Sequence, residues 1–172
     1  KRGDYFSFAF VDNMPKFDTS EPDVMEYLTG IAKHWVCDWK VDGIRFDVGN
    51  EISHTFLKHL RLELKKCNPK LFLLGEIWHD AFPWLLGDEY DSTMNYPFLA
   101  CVNNFWADKT QSGTDFMHGI NQCYSMYYEQ VNRVLFNLLD SHDTDRLMER
   151  CHGNADTFLA QLTVLFMSLS YT

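Results

Sequence analysis

The sequence predicts an α/β fold in which the strands of a parallel sheet alternate with helices. The strand-like segments are continuously apolar, which is typical of strands covered on both faces. Amphipathic segments with helical periodicity separate them. We count about four strands in 172 residues, whereas a complete (β/α)8 barrel needs roughly 250 residues. We therefore expect roughly the second half of such a barrel, as one partial domain over residues 1–172 without a second domain.

Two helix-and-strand pairs are expected in the first half of the chain. Ser20 is the predicted N-cap of the first helix, with Asp23 as its capping-box partner, and a strand follows over about residues 41–47. Ser53 caps the second helix and Asn68-Pro69 ends it, before a strand over residues 71–77. The predicted apolar stripes are Val24, Leu28, Ile31, Trp35 and Trp39 in the first helix, and Phe56, Leu57, Leu60 and Leu64 in the second.

The second half continues the alternation less regularly. A weaker strand over residues 91–96 leads into a helix that runs through Phe105, and a third apolar strand covers residues 134–139. Thr114 and Asn154 are the predicted N-caps of two further helices. Their apolar positions are Phe116, Ile120, Tyr124 and Tyr127 in one, and Phe158, Leu162, Leu165 and Phe166 in the other. Another strand could begin at residues 170–172.

Composition limits the classes of partner. With 46% hydrophobic and 16% aromatic residues, the chain can bury a sizeable core. A net charge of -9 without a basic run argues against binding to nucleic acid or an anionic membrane. The five cysteines show neither CxxC spacing nor an even count, so we expect neither a zinc site nor a disulfide framework. This cysteine usage favours a reducing, cytoplasmic compartment.

Three strands end on an acidic residue, namely Asp47, Glu76 and Asp143. In a (β/α)8 barrel, active sites are built at this end of the strands, from residues on several of them. Arg45 and Asp47 are two positions apart, so their side chains share one side of a strand, where the guanidinium would keep the carboxylate ionised. A structural ion pair at the barrel rim is the alternative reading of these two residues.

With these residues the chain resembles the α-amylase family of glycoside hydrolases over nearly its whole length. Residues 41–47 resemble the family's strand-four motif, in which an Arg precedes the nucleophilic Asp by two residues. Gly75-Glu76-Ile77-Trp78 resembles the strand-five motif with its acid/base Glu. Ser141-His142-Asp143-Thr144 resembles the strand-seven motif, whose His and Asp hold the sugar. The strand-three motif is absent, so the resemblance implies about strands 4 to 8 of the barrel.

Further segments are similar to the neopullulanase, cyclomaltodextrinase and maltogenic amylase group. They are Met14 to Thr19, Val48 to Glu51, Trp78-His79-Asp80, and Met94 to Phe98. Many other α-amylases have a Lys-His pair after the nucleophile, where this sequence has Asn50-Glu51. The resemblance therefore implies cyclodextrins, pullulan and malto-oligosaccharides as substrates rather than raw starch.

The resemblance also implies a mechanism and site residues. Asp47 would be the nucleophile, Glu76 the proton donor with its pKa raised by burial or by neighbouring negative charge, and Asp143 a sugar-binding residue of the catalytic set. Arg45, His142, Asn50, Glu51 and Trp78 would bind substrate. No metal or cofactor is expected. Two alternatives stay open: a non-catalytic carbohydrate-binding relative, and an unrelated barrel that uses the acids for a divalent metal.

Other polar and aromatic residues have weaker claims to a role. Surface or core positions are expected for His34, His54, His59 and His152. A sugar-stacking platform and loop core are about equally expected for Trp78, His79, Phe82, Trp84 and Tyr96, with Trp78 the best candidate. The acidic cluster at Asp88, Glu89 and Asp91 favours a solvated loop over a calcium site.

The half-barrel expectation has two consequences for the chain alone. Exposed barrel edges lined by apolar strands invite self-association. Strands missing from the barrel would supply part of a sugar pocket, so these 172 residues are expected to show weak turnover or none.

Overall fold

The computed structural model describes residues 5–168, apart from the side chain of Phe10. Two compact units are described in turn. The first comprises Lys1–Glu76 and Pro83–Asp91, and the second comprises Ile77–Phe82 and Ser92–Thr172. The strand expected at residues 170–172 lies outside the described residues.

Among its described residues, the first unit contains two α-helices and two strands in the predicted order. They are α1 (Pro22–Cys37), β1 (Gly43–Phe46), α2 (His54–Cys67) and β2 (Phe72–Gly75). The strands pair in parallel, with Gly43 opposite Phe72 and Phe46 opposite Gly75. Parallel pairing of consecutive strands requires a crossover connection, which α2 provides. The predicted alternation is therefore confirmed in this unit.

Helix α1 begins later than its capping pattern predicts. Glu21 is the N-cap, without a side-chain hydrogen bond, and Pro22 is the first helical residue. Ser20 instead donates its backbone N–H and its hydroxyl to the Asp18 carboxylate, at 3.0 and 2.5 Å. The predicted Ser20–Asp23 capping box is wrong because this local turn uses the Ser20 hydroxyl as a donor.

The buried face of α1 also differs from the predicted stripe. Its buried residues are Thr29, Ala32 and Val36, whereas Trp35 is 38% and Trp39 is 66% exposed. Small side chains on this face let α1 pack closely against α2. Trp39 lies beyond the end of the helix and so cannot belong to its stripe.

Helix α2 buries the predicted stripe of Phe56, Leu57, Leu60 and Leu64. Ser53 holds the N-cap position, although its side chain makes no capping hydrogen bond there. Strand β1, by contrast, alternates between exposed and half-buried residues instead of being continuously buried. The expectation that no strand is amphipathic is therefore wrong for β1.

The cysteines also depart from expectation. Cys37, the last residue of α1, and Cys67, the last residue of α2, form a disulfide with their Cα atoms 5.7 Å apart. This pairing joins two neighbouring helix ends across 30 residues of sequence, so no local spacing motif marks it. The expectation of no disulfide is wrong, and the cysteine argument for a reducing compartment loses its basis.

The second unit contains two strands and five helices among its described residues. They are β3 (Ser92–Asn95), α3 (Tyr96–Trp106), α4 (Gly113–Ser125), α5 (Glu129–Asn132), β4 (Phe136–Asn137), α6 (Leu147–Arg150) and α7 (Ala155–Met167). Strands β3 and β4 are parallel, with Met94 opposite Phe136. The weaker strand prediction is confirmed, and the strand predicted over 134–139 is shortened to two residues.

Two of the caps in the second unit can be compared with the predictions. Helix α4 is capped by Ser112 in a capping box with Asp115, so the Thr114 prediction is wrong by two residues. Asn154 caps α7 as predicted, with its side chain accepting the Thr157 N–H at 2.9 Å. In α7 the predicted Phe166 is 65% exposed, whereas Gln161 is fully buried.

An apolar cluster forms the core of the second unit. Its buried members are Phe98, Val102, Cys123, Leu139, Leu147 and Cys151. Burial raises the pKa of the Cys123 thiol to about 12, so this thiol is unreactive at neutral pH. Over residues 5–168, no helix has both the length and the apolar composition that crossing a membrane requires.

Candidate active site

In the first unit, β1 and β2 bring Asp47 and Glu76 to the same end of the strand pair. Phe46 lies opposite Gly75 in the parallel register, so the residue after each strand emerges at the carboxyl end. The Glu76 N–H donates to the Phe46 carbonyl and the Gly49 N–H donates to the Glu76 carbonyl, both at 2.9 Å. These backbone hydrogen bonds fix the backbone positions from which the Asp47 and Glu76 side chains extend.

Arg45 bridges the two carboxylates. Its Nη1 lies 2.6 Å from Asp47 Oδ1 and its Nη2 lies 2.9 Å from Glu76 Oε1. The Asp47 side chain is 74% exposed, whereas that of Glu76 is 8% exposed. One guanidinium thus orients two acids in different surroundings, one open to solvent and one enclosed.

Val48, directly after Asp47, adopts a backbone conformation that β-branched residues rarely take. Its φ and ψ are both 47°, in the left-handed region, which costs about 1–3 kcal/mol. In this conformation its N–H donates to Glu76 Oε2 at 2.9 Å. This contact cannot be predicted from the sequence, because a valine gives no signal for a left-handed turn.

Tyr90 packs against Gly75 and Gly49, which are close in sequence to the two acids, and it also escaped prediction. A Cβ at Gly75 would lie 2.6 Å from the Tyr90 ring, and one at Gly49 would lie 3.0 Å from its hydroxyl. The hydroxyl donates to the Gly49 carbonyl at 3.0 Å, and burial raises the pKa of Tyr90. The close approach of this ring therefore requires glycine at position 75, and it leaves little room for a side chain at position 49.

Asn50 and Glu51 lie in a short 3₁₀ turn, Gly49–Glu51, that follows Val48. The Glu51 carboxylate accepts the Ala9 N–H at 2.9 and 3.0 Å and pairs with Lys16 Nζ at 2.8 Å. The Lys16 ammonium holds the pKa of Glu51 below its usual range. Asn50 is half-buried.

In the second unit, Trp78 stacks on Tyr96. Their ring centroids are 3.8 Å apart and their planes differ by 8°. Tyr96 is buried, whereas Trp78 is 50% exposed. A buried ring thus supports a half-exposed indole, the arrangement that a stacking platform needs.

Asp143 and His142 lie in a turn that Ser141 organises. Ser141 Oγ accepts the Asp143 N–H at 3.2 Å and the Tyr96 hydroxyl at 3.3 Å. The Ser141 N–H donates to Thr144 Oγ1 at 2.8 Å. His142 Nε2 lies 3.2 Å from Asp143 Oδ2, and both side chains are exposed.

The three remaining residues predicted for the stacking platform, Trp84, Phe82 and His79, lie in different surroundings. Trp84, in the first unit, stacks on His54 with centroids 5.2 Å apart. Phe82, in the second unit, packs at a tilt on Tyr128, with centroids 5.6 Å apart. His79, in the same unit, is exposed.

The acidic cluster is not a solvated loop, because its carboxylates pair with basic residues of α2. Four basic residues recur every three or four positions on one face of α2: His54, Lys58, Arg61 and Lys65. They form a ladder of pairs, His54 to Glu89 at 2.8 Å, Lys58 to Asp88 at 2.8 Å, and Arg61 and Lys65 to Asp91 at 2.7 and 3.0 Å. Over the described part of the chain, no group of three or more His, Cys, Asp or Glu is arranged to hold a metal ion.

Comparison with protein families identifies the chain. The profile described as "Alpha amylase, catalytic domain" matches residues 1–171. The chain belongs to the α-amylase family. It is accordingly part of a (β/α)8 barrel, and the fold predicted from the sequence is confirmed.

Similar α-amylase family proteins are much longer than this chain. An intracellular maltogenic amylase of Bacillus subtilis is 43% identical over 162 residues, and neopullulanase 2 of Thermoactinomyces vulgaris is 43% identical over 166. These matches cover 94% and 96% of this chain but 28% of each relative. A solved structure of a cyclomaltodextrinase matches with a TM-score of 0.88 and 41% identity, covering 94% of this chain and 27% of that one. The predicted similarity to this subgroup is confirmed, for a chain that spans little more than a quarter of these relatives.

Proposed function

We propose that this chain carries the catalytic acids of a retaining glycosidase. The enzyme cleaves the α-1,4-glucosidic bonds of cyclodextrins, pullulan and malto-oligosaccharides through a covalent glycosyl-enzyme intermediate. The observation that carries the proposal is the Arg45 guanidinium, which lies 2.6 Å from Asp47 and 2.9 Å from Glu76. Retaining hydrolysis uses two carboxyl groups about 5 Å apart, and a shared guanidinium is a means of keeping them close.

In the first step Asp47 attacks the anomeric carbon, and the bond to the leaving oxygen breaks. Glu76 gives its proton to that oxygen, so the leaving sugar departs as a neutral alcohol. Asp47 is suited to attack because Arg45 orients its carboxylate and because its side chain is open to an incoming sugar. Enclosure suits Glu76 to proton transfer, since competing water is limited there.

In the second step a water molecule attacks the glycosyl–Asp47 ester. Glu76 takes a proton from that water, and Asp47 leaves as the free carboxylate. The N–H groups of Arg45 and Val48 both donate to Glu76, which orients its carboxylate for this step. A sugar hydroxyl can replace water, so the enzyme also has a route to transglycosylation.

We assign substrate binding to Asp143, His142, Trp78, Arg45, Asn50 and Glu51. Asp143 and His142 hold the hydroxyls of the sugar at the cleavage point, and Trp78 stacks on an apolar sugar face. Arg45 contributes to substrate binding by orienting Asp47 and Glu76. Asn50 contacts sugars beyond the cleaved bond, and we expect Glu51 to act there mainly by fixing the turn, since Lys16 and Ala9 occupy its carboxylate.

Substrate choice and location belong to the same proposal. The names of the cyclomaltodextrinase and neopullulanase relatives support cyclodextrin and pullulan as substrates. A cytoplasmic location is supported by the relative named an intracellular amylase, whereas the Cys37–Cys67 disulfide argues against it. Nucleic acid and anionic membranes are not proposed as partners, given the net charge of -9.

For the 172 residues in isolation we propose weak turnover or none, together with self-association. Large apolar side chains are exposed in the first unit, including Phe17 at 73% and Tyr27 at 70%. Such surfaces favour contact with another copy. Sedimentation should reveal oligomers, and a stable monomer would contradict this proposal.

The proposed activity is tested by following β-cyclodextrin and maltotriose products by NMR, in the natural full-length protein and in its Asp47→Asn form. We expect products that first carry the α-anomer, and a loss of at least about 10⁴-fold in kcat for the variant. A variant of an exposed acid outside the site, Glu129→Gln, is the control and should keep full activity.

Each contrary result has a distinct meaning. Products that first carry the β-anomer would contradict the retaining mechanism. Full activity in Asp47→Asn would contradict the nucleophile assignment. No turnover of any α-glucan by the natural protein would favour the non-catalytic alternative.

A further inference from the structure

The turn after the nucleophile is held at both of its ends. At its start, Val48 has left-handed backbone angles and gives its N–H to Glu76 Oε2 at 2.9 Å. The Glu51 N–H closes the turn by donating to the Val48 carbonyl at 2.9 Å. Because a valine does not favour this conformation on its own, other contacts must maintain it.

Lys16 supplies contacts at the far end of the turn. Its Nζ lies 2.8 Å from Glu51 Oε2 and 3.2 Å from the Glu51 carbonyl oxygen. The ammonium is thus bound to both the side chain and the backbone of the same residue, so it restrains the backbone itself. Lys16 is in turn fixed over the Phe8 ring, with Nζ 4.9 Å from the ring centroid.

The segment that carries Lys16 is tied to the turn a second time. The Ala9 N–H donates to both oxygens of the Glu51 carboxylate. Phe8 and Lys16 belong to one ordered loop, in which the Phe8 N–H donates to the Met14 carbonyl at 2.9 Å. The loop therefore holds Glu51 from two directions, and only Lys16 does so with a charge among these contacts.

We propose that Lys16 is a positioning residue for the acid/base Glu76. By holding Glu51, it keeps the 48–51 turn in the strained geometry that places the Val48 N–H on the Glu76 carboxylate. This inference rests on the proposed function for its kinetic consequences, but its structural part stands by itself. Lys16 acts through the turn and makes no contact with the reacting atoms in this account.

Loss of Lys16 should change how Glu76 titrates during turnover. Without the restraint, Val48 relaxes toward ordinary backbone angles and its N–H leaves the carboxylate. The ionised form of Glu76 then loses a donor, so the protonated form persists to higher pH. Other groups of the first unit also lie near this carboxylate. Arg45 pairs with both Glu76 and Asp47, and the Tyr90 hydroxyl donates to the Gly49 carbonyl nearby.

The test compares Lys16→Met with Lys33→Met in the natural full-length protein. Lys33 pairs with Glu63 at 2.9 Å, and Glu63 has the same 21% exposure as Glu51, but this pair lies between α1 and α2. With 4-nitrophenyl α-maltoside as substrate, Lys16→Met should lower kcat about tenfold with little change in KM. The basic limb of its pH–rate profile should move about half a pH unit upward.

Two further measurements separate positioning from general destabilisation. Lys16→Arg should return both kinetic values to near those of the natural protein, because a guanidinium also reaches the carboxylate and the carbonyl. Hydrogen exchange at the amides of Val48 and Gly49 should accelerate at least about tenfold in Lys16→Met. Lys33→Met should leave the kinetics and these amides unchanged.

The outcomes distinguish this inference from the proposed function. Unchanged exchange at Val48 and Gly49 in Lys16→Met, or an equal effect of Lys33→Met, overturns the positioning role whether or not the protein is active. Accelerated exchange with an unmoved basic limb also overturns it. If the natural protein has no activity, the proposed function alone is contradicted. Hydrogen exchange at Val48 and Gly49 in Lys16→Met then still shows whether Lys16 restrains the turn.

Discussion

The turn after Asp47 in the first unit is held mainly by charges, whereas the turn that carries Asp143 in the second unit is held mainly by the hydrogen bonds of Ser141. Arg45, Lys16 and the α2 ladder make the ionic contacts of the first unit. In the second unit, Ser141 takes the Tyr96 hydroxyl, and the Asn95 amide donates to Asn137 at 2.7 Å. The difference matches the proposed roles, which are proton and charge transfer for Asp47 and Glu76 and sugar binding for Asp143 and His142.

The largest effect is expected from a substitution that disrupts the core of the second unit. Phe98 is fully buried in the apolar cluster, so Phe98→Ala should lower the local free energy of unfolding by about 3–5 kcal/mol. Hydrogen exchange of the α3 and α7 peptides measures this loss of stability, which should be the same at low and high salt. Leu159→Ala, at a 57% exposed position of α7, is the control and should change it by less than about 0.5 kcal/mol. A strong dependence on salt would contradict a core-held unit.

A somewhat smaller effect is expected from the disulfide of the first unit. Peptide mapping without reductant should recover Cys37 and Cys67 as one linked pair. Replacing both by serine should destabilise α1 and α2 by about 2–4 kcal/mol, because the closed loop restricts the unfolded chain. Recovery of both residues as free thiols in the natural protein would refute the bond.

The ionic ladder should contribute less, and its contribution should depend on salt. Asp91 accepts from Arg61, Lys65 and the Leu73 N–H, the last at 2.9 Å. Asp91→Asn should cost about 1–3 kcal/mol in exchange of the α2 and β2 peptides, with a smaller loss at high salt. Asp108→Asn, which removes the pair with Arg150 in the second unit, should cost about 0–1 kcal/mol. Equal losses of stability in Asp91→Asn and Asp108→Asn would contradict the expected difference between the two units.

The smallest expected effect is a response of the 48–51 turn to acid. Lys16 lowers the pKa of Glu51 from its usual 4.5, so the ionised form is favoured by folding. The resulting stability is fully present above the usual value and is lost as the pH falls through the lowered one. Amide exchange at the turn, corrected for intrinsic rates, should therefore accelerate below about pH 4. No change in that range would argue against the Lys16–Glu51 pair.

Sequence patterns predicted the features that depend on local order along the chain. The helix and strand alternation, the α2 stripe and the acids at the strand ends follow from periodicity and apolar runs. The Ser20 and Thr114 caps were wrong because nearby side chains make other hydrogen bonds: the Asp18 carboxylate accepts the Ser20 hydroxyl, and Ser112 caps α4 two residues before Thr114.

The features that escaped prediction join residues distant in sequence. The Cys37–Cys67 bond, the Lys16–Glu51 pair and the packing of Tyr90 on Gly49 and Gly75 arise only when elements pack together. Val48 is the clearest case, because its own preference opposes the backbone angles that it adopts. Such a conflict between residue and conformation is typical of functional sites.

Trapping of the covalent intermediate tests whether Asp47 is the nucleophile. The natural protein is incubated with a fluorinated maltosyl fluoride that forms the glycosyl-enzyme quickly and releases it slowly, and its peptides are then analysed by mass spectrometry. We predict one maltosyl adduct, on Asp47, that is lost in the Asp47→Asn variant. An adduct on another residue, or steady turnover of α-glucans with no adduct at all, would contradict the account.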